Sequence, residues 1–187
     1  MDSSKMATYA VEAFNTASAS ENRIHDDGVA RRFGFHGGLV PGVEVYAYMA
    51  HLPVERFGRA FLERGGMECR FHKPVYDGRM ATVAAQEDAD GLALRLESDG
   101  LVCATARAWL AGASQPPPSR DALPEAAPAS ERPKADLASL AVGRALGISP
   151  VAIDREALDR YLGDVRETHE LYAREGLVHP GQILRLA

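Results

Sequence analysis

Leu39 to Leu52, LVPGVEVYAYMAHL, restricts the fold of this chain more than any other stretch. It is apolar on nearly every side, and Glu44 and His51 are its only readily charged interruptions. A helix apolar all round is buried on all sides. In a soluble chain, a sheet wrapped about it achieves that. Pro41 suits the first turn, where its missing N–H is no loss, and Gly42 allows another group close to the backbone there. The free N–H groups at such a helix start form a site for an oxygen carrying negative charge.

Two other pieces lead into this helix. Ser20 to Asp27, SENRIHDD, gathers hydrogen-bonding groups, and Phe33 to Gly38, FGFHGG, is a glycine-punctuated turn. Residues 26–33 read as a short helix opened by Asp26 and Asp27, whose charge suits a helix N-terminus. Tyr9, Val11 and Ala13 alternate as a strand would.

After the apolar stretch, Pro53 to Arg64 reads as a second, amphipathic helix with Val54, Phe57, Phe61 and Leu62 on its apolar side, ended by Gly65-Gly66. Four strands are expected at 67–73, 79–87, 92–97 and 101–110. The pairs Asp90-Gly91 and Asp99-Gly100 mark short hairpins, so these strands pair antiparallel. The class is therefore α+β, with one long helix against a curled antiparallel sheet.

The composition then changes. Residues 112–136 hold six prolines among Ala, Ser and charges, and read as a linker. Residues 137–187 read as a helical extension, with a helix expected over 154–162. Near its end, Gly176-Leu177-Val178-His179-Pro180-Gly181 echoes Gly38-Leu39-Val40-Pro41-Gly42 with one residue inserted. The echo suggests the start of a second repeat that stops at Ala187, before any matching strands.

A formal net charge of −5 argues against nucleic acid or an anionic membrane as partner. No apolar run reaches the roughly 20 residues needed to span a bilayer, and the N-terminus lacks the apolar core of a secretory signal. A cytoplasmic protein is expected, with Cys69 and Cys103 as buried thiols. His36, His51 and His72 show no metal-ligand spacing.

The first 111 residues resemble the MaoC-like dehydratase family, which includes the (R)-specific enoyl-CoA hydratases. The residues that carry the resemblance are Ser20 to Leu52, then Phe71 to Gly78, FHKPVYDG, and the meander after it. The resemblance implies the hot-dog fold, an antiparallel sheet around one long helix. It makes the C-terminal extension a partial second hot-dog unit. The family motif is Asp-x-Asn-Pro-x-His, whose Asp and His hold the water that adds to an enoyl thioester. Asn22 and His25 match its Asn and His, and Gly42 matches the glycine whose N–H polarises the thioester carbonyl. Ser20 stands at the Asp position and Arg23 at the Pro position. Pro41 stands where the family often has His. In the second unit, Asp164 and His169 reproduce the Asp-to-His spacing, with Arg166 and Glu167 at the Asn and Pro positions.

The implied activity is hydration or dehydration of an acyl-CoA thioester. Coenzyme A would enter as part of the substrate, and no separate cofactor is expected. The change to Ser20 leaves two alternatives: a non-catalytic module binding acyl-CoA or a catalytic partner, or a hot-dog thioesterase. Each residue also has a plainer role. His25 could be a surface histidine, Asn22 a turn residue, Ser20 a loop hydroxyl and Gly42 a packing glycine. Asp164 with His169 could be a solvated pair near a helix start. Arg31 and Arg32 could meet the phosphates of coenzyme A or simply face solvent. A homodimer, or a pseudo-dimer of hot-dog units, is expected because pairing would cover the open sheet edge.

Overall fold

The computed structural model describes residues 7–17, 27–113, 116, 119, 121 and 123–186. The chain divides into two compact units, one of residues 1–114 with 154–187 and the other of 115–153. The larger unit opens with strand β1 (Ala7–Glu12). Helix α1 (Asp27–Arg32) leads to the long helix α2 (Gly42–Phe57), a short α3 (Arg59–Arg64), and strands β2 (Gly65–Phe71), β3 (Met80–Asp88), β4 (Gly91–Ser98) and β5 (Leu101–Leu110). Helices α4 (Arg155–Asp164), α5 (Glu170–Glu175) and α6 (Pro180–Leu186) close it.

The five strands form one antiparallel sheet in the order β1-β3-β4-β5-β2. The register aligns side chains in rows across all of them: Tyr9, Val83, Leu96, Ala104 and Phe71 in one, Ala7, Ala85, Leu94, Ala106 and Cys69 in the next. The alternation of period two places Val83, Leu96, Ala104, Ala85 and Leu94 in the core. Helix α2 lies against this face and touches all five strands. Its Val45, Ala47, Tyr48, Met49, Ala50, Leu52 and Val54 are buried. A long helix seated on an antiparallel sheet of this strand order is the hot-dog fold.

The expected boundaries shift at α2. Leu39 and Val40 are still extended: Leu39 bridges Tyr76, and the Val40 N–H donates to the Val75 carbonyl at 2.9 Å. The helix then runs through Pro53 and stops at Gly58, whose φ of 59° puts it where glycine is favoured. The expected break at Pro53 is thus moved to Gly58, and the second helix shortens to α3. A proline removes one backbone hydrogen bond. Here Pro53 and Val54 are both buried, so packing outweighs that loss. The tip between β4 and β5 is Asp99-Gly100, both at positive φ, as a two-residue hairpin turn requires.

The stretch 115–153 is not a plain linker. Ala126 donates to the Ile148 carbonyl and the Ile148 N–H to the Pro124 carbonyl, so the proline-rich segment folds back on itself, and a 3-10 turn spans Ala129–Glu131. Regular helix resumes at Arg155, capped by Asp154 through the Ala157 N–H at 2.8 Å. Within the larger unit, residues 154–187 pack chiefly through α6 against α2. The two halves of the echo noted in the sequence stand one position apart at their helix starts: Pro41 is the N-cap of α2 and Gly42 its first residue, whereas Pro180 is the first residue of α6 and Gly181 its second. Among the described residues, no helix is long and apolar enough to cross a membrane.

Candidate functional site

Ser20, Asn22 and His25, with Asp26, lie outside the described residues. Gly42 lies within them. It is the first residue of α2, after Pro41, whose φ of −57° and ψ of 147° set the chain up to enter a helix. No side chain caps this end. The Glu44 and Val45 N–H groups return to the Pro41 carbonyl. Those of Gly42 and Val43 are donors that a helix cannot pair internally. The Phe71 ring covers the turn, 3.4 Å from where a Gly42 Cβ would sit. Among the described residues, the result is a helix N-terminus whose first N–H groups are unpaired beside an aromatic ring, able to receive an oxygen that gains negative charge.

The chain that leads into the segment of Ser20, Asn22 and His25 is fastened residue by residue. The Phe14 N–H donates to Tyr48 Oη at 3.0 Å and the Asn15 N–H to Asp77 Oδ1 at 2.7 Å. Thr16 Oγ1 donates to Glu44 Oε1 at 2.9 Å and receives Arg185 Nη2 at 2.5 Å. Burial pushes the Tyr48 hydroxyl up to about 12, so it stays neutral and can both accept from and donate to the Phe14 backbone. Next to this root is a cavity of about 460 Å³ lined by Arg31, His36, Gly37, Gly38, Tyr76, Asp77, Arg79 and Asp99. Arg31 therefore faces a cavity, whereas Arg32 is exposed and does not line it.

The second pair, Asp164 and His169, is not joined by any hydrogen bond. Asp164 ends α4. His169 is the N-cap of α5, where its Nδ1 accepts the Leu171 N–H at 3.2 Å. The carboxylate that meets histidines is Glu167. Its Oε1 receives His51 Nδ1 at 2.7 Å and the His169 N–H at 2.7 Å. His179 Nε2 approaches Oε2 at 3.7 Å, an electrostatic contact too long for a hydrogen bond. His179 Nδ1 accepts the Gly181 N–H at 3.0 Å, so its proton is on Nε2 and points at Glu167. Burial alone would raise the Glu167 carboxyl. His179, His51 and the His169 N–H more than reverse that and hold it well below the usual carboxylate range. The Tyr9 ring stacks on His51 at 3.7 Å between centroids. Among the described residues, no group of three or more His, Cys, Asp or Glu side chains is arranged to hold a metal ion.

Sequence reasoning passed over Glu167 as a partner for His51, although a signal existed. Glu44 and His51 are seven residues apart, two helical turns, and so share one face of α2. Ionisable groups inside an otherwise apolar, buried stretch need polar partners. Each has one in the C-terminal segment, Arg185 for Glu44 and Glu167 for His51, with Gly181 against Ala47 between them. Cys69 and Cys103 are free thiols, and burial raises both.

No family model and no curated protein matches this chain. Solved structures similar to it include an (R)-hydratase from A. caviae involved in PHA biosynthesis. That match is 19% identical, covers 59% of this chain and 98% of the other, and has a TM-score of 0.41. R-hydratase PhaJ1 from Pseudomonas aeruginosa is 16% identical over 64% of this chain and 92% of its own, with a TM-score of 0.44. A thioesterase from Thermus thermophilus, complexed with coenzyme A and Zn, is 16% identical over 58% and 84%, with a TM-score of 0.38.

Proposed function

We propose that this chain is a hydratase or dehydratase acting on an enoyl thioester of coenzyme A. The observation that carries the reading is the Thr16–Glu44 hydrogen bond. It fastens the root of the segment bearing Ser20, Asn22 and His25 at the first turn of α2, two residues from Gly42. In this reading, the Gly42 N–H receives the negative charge that builds on the thioester oxygen as water adds to the double bond. His25 moves the proton and Asn22 orients water or substrate. The phosphates of coenzyme A suit the cavity of Arg31, His36 and Arg79. A second copy of the chain adding at the open edge of β2 would extend the sheet.

The test is hydration of crotonyl-CoA and longer enoyl-CoA esters by pure protein, followed by loss of the ultraviolet absorbance of the conjugated thioester. Turnover is expected, and it should fall by at least about 100-fold in His25→Ala. No turnover by wild type, or full activity without His25, overturns the assignment.

One observation favours a second reading. Ser20 stands where the motif has a carboxylate, and a serine hydroxyl needs a base to act in its place. The chain would then bind acyl-CoA without converting it, and a titration showing binding with no turnover would distinguish the two.

A further inference from the structure

Tyr161 Oη, Tyr172 Oη, His179 Nε2 and Gln182 Oε1 are buried and have no hydrogen-bond partner among the described residues. All four belong to the C-terminal segment: Tyr161 to α4, Tyr172 to α5, His179 to the turn before α6 and Gln182 to α6 itself. Burial raises both tyrosine hydroxyls, so each keeps a proton that needs an acceptor. His179 Nε2 directs its proton at Glu167 Oε2, but 3.7 Å is too long for a hydrogen bond. Gln182 donates to the Ala157 carbonyl at 3.3 Å, while its own carbonyl finds no partner. The sheet and α2 differ. Ser98 Oγ, buried in β4, donates to the Met80 carbonyl at 3.0 Å, and Tyr48 Oη in α2 meets the Phe14 backbone.

A buried polar atom without a partner disfavours the closed state, because leaving the core returns it to water. Each one lowers the ratio of closed to open about 5- to 150-fold. The segment has other weak points. Arg166, in the turn between α4 and α5, has a φ of 54°, a left-handed conformation unfavourable for a residue with a Cβ. Helices α4, α5 and α6 are 10, 6 and 7 residues long, too short to persist once they leave the protein. The ion pairs Arg166–Glu12 and Arg59–Glu175 join partly exposed side chains and add little. The surface beneath is suited to being bared. Glu44 and His51, on the face of α2 that meets the segment, are ionisable and gain hydration when uncovered.

We infer that residues 154–187 form a detachable strap over α2, which opens as one unit while α2 and the five-stranded sheet stay folded. Sub-global openings of this kind follow regions whose contacts are weaker than those of the core. When closed, the strap is held by the buried side chains of Leu158, Leu162, Val165 and Leu171 and by Glu167 on His51. On leaving, it loses its short helices. Opening uncovers Glu44, Ala47 and His51, the residues of α2 that Arg185, Gly181 and Glu167 cover. Access to this face of α2 is thereby set by the ratio of closed to open strap.

The test is amide hydrogen exchange of the full chain, read peptide by peptide across residues 155–186 and across β3 and β4. In wild type, 155–186 should exchange together and at least about tenfold faster than the two strands. Val83, fully buried in β3, separates the two openings. Val83→Ala should speed exchange in β3 and β4 at least about tenfold and leave 155–186 unchanged. Tyr172→Phe removes one unpartnered hydroxyl and keeps the ring, so exchange across 155–186 should slow about 5- to 150-fold. A segment that exchanges in step with the sheet, in wild type and in Val83→Ala, would overturn the inference. So would exchange across 155–186 that is unchanged or faster in Tyr172→Phe. Should Val83→Ala fail to fold, wild type in urea below its unfolding transition decides. Exchange in β3 and β4 must then rise more steeply with urea than exchange in 155–186, because opening the strap exposes less surface; equal slopes refute the strap.

Discussion

Replacing Glu167 with Gln removes one charge and changes little else in volume. In wild type, Glu167 Oε1 accepts two short hydrogen bonds, from His51 Nδ1 and the His169 N–H, each at 2.7 Å, and the side chain is 3% exposed. Hydrogen bonds to an ionised group are worth about 1.5–3 kcal/mol each and neutral ones roughly half as much. Two of them therefore lose about 1.5–3 kcal/mol together. The new amide also turns an N–H donor toward the proton on His179 Nε2. Against this, a neutral amide is easier to bury than a carboxylate. The balance is a loss of about 2 kcal/mol at pH 7, or a melting temperature lower by about 4–8 °C for a unit of this size.

The pH dependence supplies the sharper check. The Glu167 carboxyl is depressed in the folded chain from its ordinary value of 4.5. A depressed acid contributes stability that is fully present above the unfolded value and is lost as pH falls through the folded one. The gap between wild type and Glu167→Gln in urea unfolding should therefore be fully developed at neutral pH and shrink below about pH 4.5. A variant as stable as wild type at pH 7, or a gap that does not change between pH 5 and pH 3, would refute a buried, ionised Glu167 as the fastening of the C-terminal segment.

Three further outcomes follow from the site and its supports. Gly42→Pro deletes the first N–H of α2 at a position where proline fits a helix, so kcat on enoyl-CoA should drop about 100- to 1000-fold while urea stability moves by no more than about 1 kcal/mol. Ser20→Asp supplies the carboxylate of the family motif and should raise turnover of crotonyl-CoA about 100-fold, measured in the same absorbance assay. In Gly181→Ala, the added Cβ would strike Tyr161 Oη and come within 2.8 Å of Ala47 Cβ; a loss of about 1–3 kcal/mol is expected in urea unfolding, and an unchanged midpoint would contradict the close packing of α6 on α2.

Local signals made the core of the fold legible. Alternation marked β1, the hairpin pairs Asp90-Gly91 and Asp99-Gly100 marked off β3, β4 and β5, and the apolar character of Leu39–Leu52 marked the body of α2. Where local rules conflicted with packing, packing won. Pro53 looked like a helix breaker, but it lies in a buried turn and the chain breaks five residues later at Gly58, where a positive φ is possible. What could not be read was the docking of residues 154–187, because its contacts join positions 116 to 169 apart. Motif spacing alone drew attention to Asp164 and His169, whereas the geometry joins Glu167, between them, to His51 and His179. Periodicity is a property of neighbours and says nothing of partners that distant. Glu44 and His51 were the available clue, a pair of ionisable groups on one buried face.

That pairing also sets the order in which the protein can be made. Glu167 follows His51 by 116 residues, which at about 5–20 residues per second takes a ribosome roughly 6–23 s. For that interval the sheet can close on one side of α2, while Glu44, Tyr48 and His51 on its other side still face water. Contacts of such sequence separation carry a large loop-closure entropy and form late. The last step of folding is then the arrival of the C-terminal helices on a surface already built, and Thr16 receives its arginine at that step. A nascent chain lacking them has its sheet and central helix, but Glu44 has yet to meet Arg185 and His51 has yet to meet Glu167.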